Sequence, residues 1–92
     1  MPPPVVSPRA LLDLEEIGDY ISRHDPVRAE SFIDEVRAHF LRIAENPTAY
    51  VRCNDIAHGA RMAMHGRRYR IMFRSDVDGV EIMRILHSAR RS

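Results

Sequence analysis

Arg61, Arg70, Arg74 and Arg84 recur through the last third of this 92-residue chain, and His87 stands near its end. Those residue types serve many roles, and one demanding reaction can be weighed against them. Cutting an RNA backbone through its 2′-hydroxyl needs a base, an acid and cations around the developing phosphorane charge. The cations are abundant, but no lysine occurs, and all fourteen Lys-plus-Arg positions are arginine. Arginine stays protonated, so it supplies charge and not proton transfer. No tyrosine follows His87, so an acid–base pair would have to import Glu81 or His65. Structural roles ask for less. His87 could hydrogen-bond a backbone carbonyl and lock the C-terminal tail. Arg84 interrupts an apolar run and invites a helix carboxylate, with Glu16 or Asp19 the expected partner.

Other chemistries find fewer parts. Cys53, Asp55, His58 and His65 are metal-liganding types, but no paired C-x-x-C or H-x-x-x-H spacing joins them. Glycines 18, 59, 66 and 79 are scattered and build no phosphate-binding loop. No serine or cysteine nucleophile motif is present. No catalytic residue, metal or cofactor is therefore expected. One cysteine, Cys53, cannot form an internal disulfide. Met1-Pro2-Pro3-Pro4 lacks the charged start and apolar run of a signal peptide, and no stretch approaches membrane-spanning length. A cytoplasmic protein without membrane contact is expected.

Charge is distributed unevenly around a net of +1. Residues 1–50 hold five Arg against nine Asp and Glu, a net of −4, and residues 51–92 hold nine Arg against four, a net of +5. A basic half suits an acidic or nucleic-acid partner; a solvated arginine face accounts for it equally. Apolar residues make up 45% and charged residues 29%, which is enough for one small core, and a single domain over 1–92 is expected. A domain this small is only marginally stable alone, which favours a permanent partner.

The elements that must position these residues follow from two periods. Pro2-Pro3-Pro4 excludes helix, and Val5-Val6 favours a short strand at 4–6, at the edge or centre of a sheet. Ser7-Pro8 and Asp25-Pro26 each read as N-cap followed by proline at the first helical position. Asp13, Glu15 and Glu16 add early negative charge that suits the helix dipole. Helices are expected over 8–23 and 26–45. The first carries Ala10, Leu14, Ile17 and Ile21 on one stripe; the second carries Ala29, Phe32, Ile33, Val36, Phe40 and Ile43. Asn46-Pro47 stops the second helix. Residues 48–59 read as a loop. From Gly59 the period becomes two, which predicts strands over 60–65, 67–74 and 80–87. Asp78-Gly79 supplies a hairpin turn. Tyr69, Ile71 and Phe73 share a core face, and Met62, Met64 and Met72 read as gap fillers. The fold class is α/β in the α+β sense: an N-terminal strand and an antiparallel helical hairpin packed on a C-terminal antiparallel β-meander.

The segment Arg68-Tyr69-Arg70-Ile71-Met72-Phe73, the Asp78-Gly79 turn and Val80-Glu81-Ile82-Met83-Arg84-Ile85-Leu86-His87-Ser88-Ala89-Arg90 together resemble the ParE-type toxins of the RelE/ParE superfamily. Ser7-Pro8-Arg9-Ala10, Leu12-Asp13-Leu14 and Ile17 through Tyr20-Ile21 resemble that family's opening helix, and Ala44-Glu45-Asn46-Pro47 its helix end. The resemblance covers nearly the whole chain in order. It implies the toxin of a type II toxin–antitoxin system, neutralised by a ParD-like antitoxin in a hetero-oligomer, with DNA gyrase as target. DNA would be met only through antitoxin or target. Two alternatives remain: a ribosome-dependent mRNA endoribonuclease of the RelE type, and a non-toxic assembly partner. Arg68, Arg70, Arg84, His87, Arg90 and Arg91 are the expected target contacts. Leu11, Leu12, Tyr20 and Phe40 are expected to lie partly exposed on the helical hairpin and to meet the antitoxin.

Overall fold

Two proline-led caps organise the first half. In the computed structural model, which describes residues 2–54 and 58–88, the Ser7 hydroxyl accepts from the Ala10 amide at 3.0 Å and opens helix α1, Pro8–Ser22. Asp25 accepts from the Arg28 amide at 3.0 Å and opens α2, Pro26–Glu45. Ser7 also ties the hairpin to the sheet. Its amide donates to the Ile82 carbonyl at 2.9 Å, and its hydroxyl donates to the Met83 carbonyl at 3.0 Å. Gly18 sits where the helices cross, and a Cβ there would come within 3.0 Å of the Ile33 Cδ1 atom.

The strands are β1 (Val5–Val6), β2 (Val51–Arg52), β3 (Ala60–His65), β4 (Tyr69–Asp76) and β5 (Gly79–His87). They form one mixed sheet in the order β1-β5-β4-β3-β2. The antiparallel meander of β3, β4 and β5 is as expected, and β1 joins as an edge strand parallel to β5. Two details differ. The segment read wholly as a loop contains a 3₁₀ turn at Pro47–Ala49 and the short edge strand β2, paired with Arg61 and Met62. The strand expected from 67 begins at Tyr69, because Gly66, at φ +61°, extends the preceding turn through Arg68. No described helix is long and apolar enough to cross a membrane.

The main core lies between the hairpin and one sheet face. Phe73, Ile71, Ile82 and Val80 meet Ala10 and Leu14 from α1 and Phe32, Val36, Phe40 and Ile43 from α2. Phe40 is therefore not a groove residue; it is 3% exposed, because it continues the inward stripe through Phe32 and Val36 at four-residue spacing. Leu11, Leu12 and Tyr20 are exposed at 43%, 41% and 50%. On β3 the two faces are used differently. Ala60 and Met62 join Cys53, Met72, Met83 and Leu86 in a second cluster, whereas Ala63 enters the main core. The helix-covered face of β3 thus carries Arg61, Ala63 and His65, and the polar pair is accommodated individually. Arg61 donates to the Tyr50 carbonyl at 2.7 Å, and His65 meets His39 of α2.

A bulge in β5 decides where its side chains point. Phe73 pairs with Ile82 but Met72 pairs with Arg84, leaving Met83 as the extra residue. The inserted residue reverses the alternation, so Ile82 and Ile85, three apart, both reach the main core.

Candidate functional site: a cationic cleft between helix α2 and the β3–β4 turn

Helix α2 presents Arg28, Phe32, Glu35, His39 and Arg42 at alternating four- and three-residue steps, which places them on one stripe. That stripe forms one wall of a cleft of about 740 Å³. His65, Gly66, Arg67, Arg68 and Tyr69 around the β3–β4 turn form the facing wall, and Tyr20 and His87 close one end. The turn is fastened from behind by the end of β5. The Ser88 amide donates to the Arg68 carbonyl at 2.6 Å, and its hydroxyl donates to the Arg67 carbonyl at 3.1 Å. The backbone carrying both arginines is thereby held in place.

An aromatic row lines the floor. His39 and His65 rings lie 5.2 Å apart, His65 and Phe32 5.6 Å, Phe32 and Tyr69 5.0 Å, and Tyr69 and His87 5.1 Å. Within the row, the Nδ1 atoms of His39 and His65 are 2.9 Å apart. One ring must donate and the other accept, so the pair shares one proton across that contact and has no place for a second. Burial pushes the His39 pKa down to about 4, with Arg42 and His65 adding to the effect. Burial lowers His65 as well, against the opposing pull of Glu35. Both imidazoles are therefore neutral at neutral pH.

This arrangement has a pH signature. A histidine whose folded pKa is depressed binds fewer protons folded than unfolded, between its unfolded value near 6.5 and its folded value near 4. The unfolded state then takes up the proton, so stability falls as pH drops through this window and is flat above about pH 7. Urea midpoints measured across that range should show the decline, and His39→Gln should flatten it. An unchanged slope in the variant would remove His39 from the account.

A second hollow adjoins the cleft and shares Tyr20, Tyr69 and His87 with it. There Asp13, 4% exposed, holds Arg84 in a two-pronged ion pair. Arg84 Nε is 2.8 Å from Oδ2 and Nη2 is 3.1 Å from Oδ1. The Ile85 amide donates to the same Oδ2 at 3.0 Å. The expected partners Glu16 and Asp19 are thus replaced by Asp13, which faces β5 as part of the inward stripe and is not a free dipole charge. Arg70 lines the same hollow, and its Nε is buried without a hydrogen-bond partner among the described residues.

The expected target contacts are accordingly divided. Arg68 and His87 line the cleft, while Arg70, Arg84 and again His87 line the adjoining hollow. Arg90 and Arg91 lie outside the described residues. Arg61 is committed to Tyr50, and Arg74 is exposed near the opposite end of the sheet, paired in register with Glu81. Glu81 lies six residues before His87 on β5, about 20 Å along the strand. It cannot serve His87, whereas His65 does share the cleft. Sequence reading passes over Arg28, Glu35, His39 and Arg42. Their common stripe with Phe32 is the signal that could find them. Among the described residues no group of three or more His, Cys, Asp and Glu is placed to hold a metal ion.

The family described as "ParE toxin of type II toxin-antitoxin system, parDE" matches residues 5–92. The chain belongs to the ParE toxin family. Its fold is also that of a solved structure titled "Chromosomal ParDE TA system from P. aeruginosa", with a TM-score of 0.77 at 19% identity, covering 91% of this chain and 92% of that one. Among curated proteins no significant match is found. In this ParE-family toxin the family's sequence features are used structurally in part. The arginine of the R-I-L-H run, Arg84, is bound to the aspartate of the opening helix, Asp13.

Proposed function

We propose that this ParE-family toxin is neutralised by a ParD-like antitoxin and arrests growth in the cytoplasm by binding and poisoning DNA gyrase, without catalysis of its own. The family match over residues 5–92 carries this reading. The structural neighbour, described as a ParDE toxin–antitoxin system, supports the kind of partner. Leu12 and Tyr20, with Glu16 between them at four-residue spacing, offer an antitoxin helix an exposed apolar row on α1, and Leu11 lies beside it. For the target, Arg68 and His87 in the cleft and Arg70 in the adjoining hollow are the proposed contacts, with the basic tail beyond them.

Induction of the chain alone in a bacterial host tests the reading. Filamentation, DNA breaks and an SOS response are expected, and co-expression of the neighbouring reading frame should restore growth. Equal growth with and without that frame would overturn the toxin–antitoxin reading. A ribosome-dependent endoribonuclease is the second reading, favoured by the placement of His65 and His87 in one cleft with Arg67 and Arg68. It requires rapid loss of translation with cleaved mRNA, and inactivity of His87→Ala. Normal growth on confirmed expression would leave a non-toxic assembly partner.

A further inference from the structure

The cleft holds more positive charge than its surroundings balance. Arg28, Arg42, Arg67 and Arg68 line it, against one carboxylate, Glu35. Arg28 already holds that carboxylate at 2.7 Å. Arg42, Arg67 and Arg68 make no ion pair among the described residues. Three uncompensated guanidinium groups around one concavity repel each other, and a bound anion relieves that repulsion. The groups come from two separate elements that face each other, and the turn carrying two of them is fixed by Ser88. The three side chains are exposed, and it is the backbone beneath Arg67 and Arg68 that is held.

We infer that the cleft binds the phosphate group of a nucleotide, either a free nucleotide or a residue of a single-stranded nucleic acid, between Arg42 on α2 and Arg67 and Arg68 on the β3–β4 turn. The number of donors argues for phosphate over carboxylate. A phosphate ester offers up to three acceptor oxygens and up to two negative charges, and guanidinium groups pair with it in a planar fork. A single carboxylate would leave at least one of the three arginines unmatched. Size argues for a nucleotide over a bare ion. The cleft, at about 740 Å³, lies within the roughly 300–1,000 Å³ typical of small-molecule sites. Its aromatic row, ending in Tyr69 and His87, gives a base rings to pack against. The neutral His39–His65 pair lies beside the cations. An arriving dianion would favour proton uptake there, so the pair reports occupancy.

This inference is independent of gyrase as target, because it concerns binding by the isolated full chain and not growth arrest. The test is NMR titration of the histidine ring protons with adenosine 5′-monophosphate, a short single-stranded DNA and a glutamate-rich peptide. Adenosine monophosphate should shift the His39 and His65 signals and raise their protonation midpoints by about one pH unit. Arg42→Gln combined with Arg68→Gln should weaken binding by about tenfold or more, whereas Arg74→Gln, near the other end of the sheet, should not. Circular dichroism of each variant establishes that it is folded before titration. Binding of the mononucleotide supports a free-nucleotide ligand, and binding of the DNA alone supports a nucleic acid. The proposal is overturned if neither binds, if the peptide binds as tightly, or if the double substitution leaves binding unchanged.

Discussion

Replacing Asp13 by alanine should lower the stability of the isolated chain by about 3 kcal/mol, enough to threaten folding of a domain this small. One carboxylate performs two tasks. It takes both arms of Arg84, and it accepts the Ile85 amide on the outer edge of β5, where no strand of the described residues pairs with it. Alanine leaves that buried amide unsatisfied, at a cost of about 1–3 kcal/mol, and leaves Arg84 beside the core without its counter-charge. The substitution Asp13→Asn keeps an acceptor for the amide but loses the charge, so it should cost about half as much. Arg84→Met removes the charge while keeping an aliphatic stem and should be milder than Asp13→Ala, since the carboxylate still serves Ile85. Urea denaturation of the three variants measures the order. If Asp13→Ala cost no more than Arg84→Met, the amide contact would be energetically idle and the account of the β5 edge would be wrong.

The same carboxylate shows where sequence reasoning reaches and where it stops. Both helices and the meander follow from local signals, because each cap and each alternation is written within a few residues; the hairpin is also found, but its turn residues are Val77 and Asp78, and Gly79, at φ +128°, already opens β5. Ser7-Pro8 and Asp25-Pro26 start their helices as their chemistry requires. Asp13 is different. As a residue on α1 it reads as a favourable charge near the helix start, and only the register of β5 turns it inward toward Arg84 and Ile85. That register depends on the bulge at Met83, which no periodic pattern announces. Phe40 misleads for a related reason. Apolar periodicity marks the stripe but not which of its members the sheet covers, and Phe40 lies in the covered part, beside Val36 and Ile43. On β3, counting apolar residues favours the Ala60, Met62 and Met64 face, yet the helices cover the other, because Ala63 is small enough to pack there and His65 finds His39. The cleft is the least legible part. Its cations come from residues 28, 42, 67 and 68, and only the folding of the turn against α2 makes them neighbours.

Ending the chain after Leu86 should abolish growth arrest on induction while leaving antitoxin capture nearly intact. The deletion removes His87 from the cleft and from its packing on Tyr69, and it removes Arg90 and Arg91 from the basic half. It also removes both Ser88 hydrogen bonds that hold the carbonyls of Arg67 and Arg68. Loss of several clustered contacts and of the tether that preorganises two more should weaken target binding by about 100-fold or more. The antitoxin surface proposed on α1, with Leu11, Leu12 and Tyr20, lies in the first half of the chain; Leu11 and Leu12 border neither hollow, and only Tyr20 approaches the deleted end. The comparison is therefore between colony counts after induction and co-purification with the tagged antitoxin. Surviving toxicity would move the target surface away from the His87 end. Loss of both properties would show that the end of β5 is needed for the fold, and Ser88→Ala with His87→Ala in the full-length chain then separates the cases. That pair keeps β5, its ladder with β4 and the backbone amide bond from position 88 to the Arg68 carbonyl, and removes the hydroxyl bond to the Arg67 carbonyl and the imidazole, so it should retain antitoxin binding and still lose toxicity if the fixed Arg67 carbonyl and the imidazole are what the target surface needs.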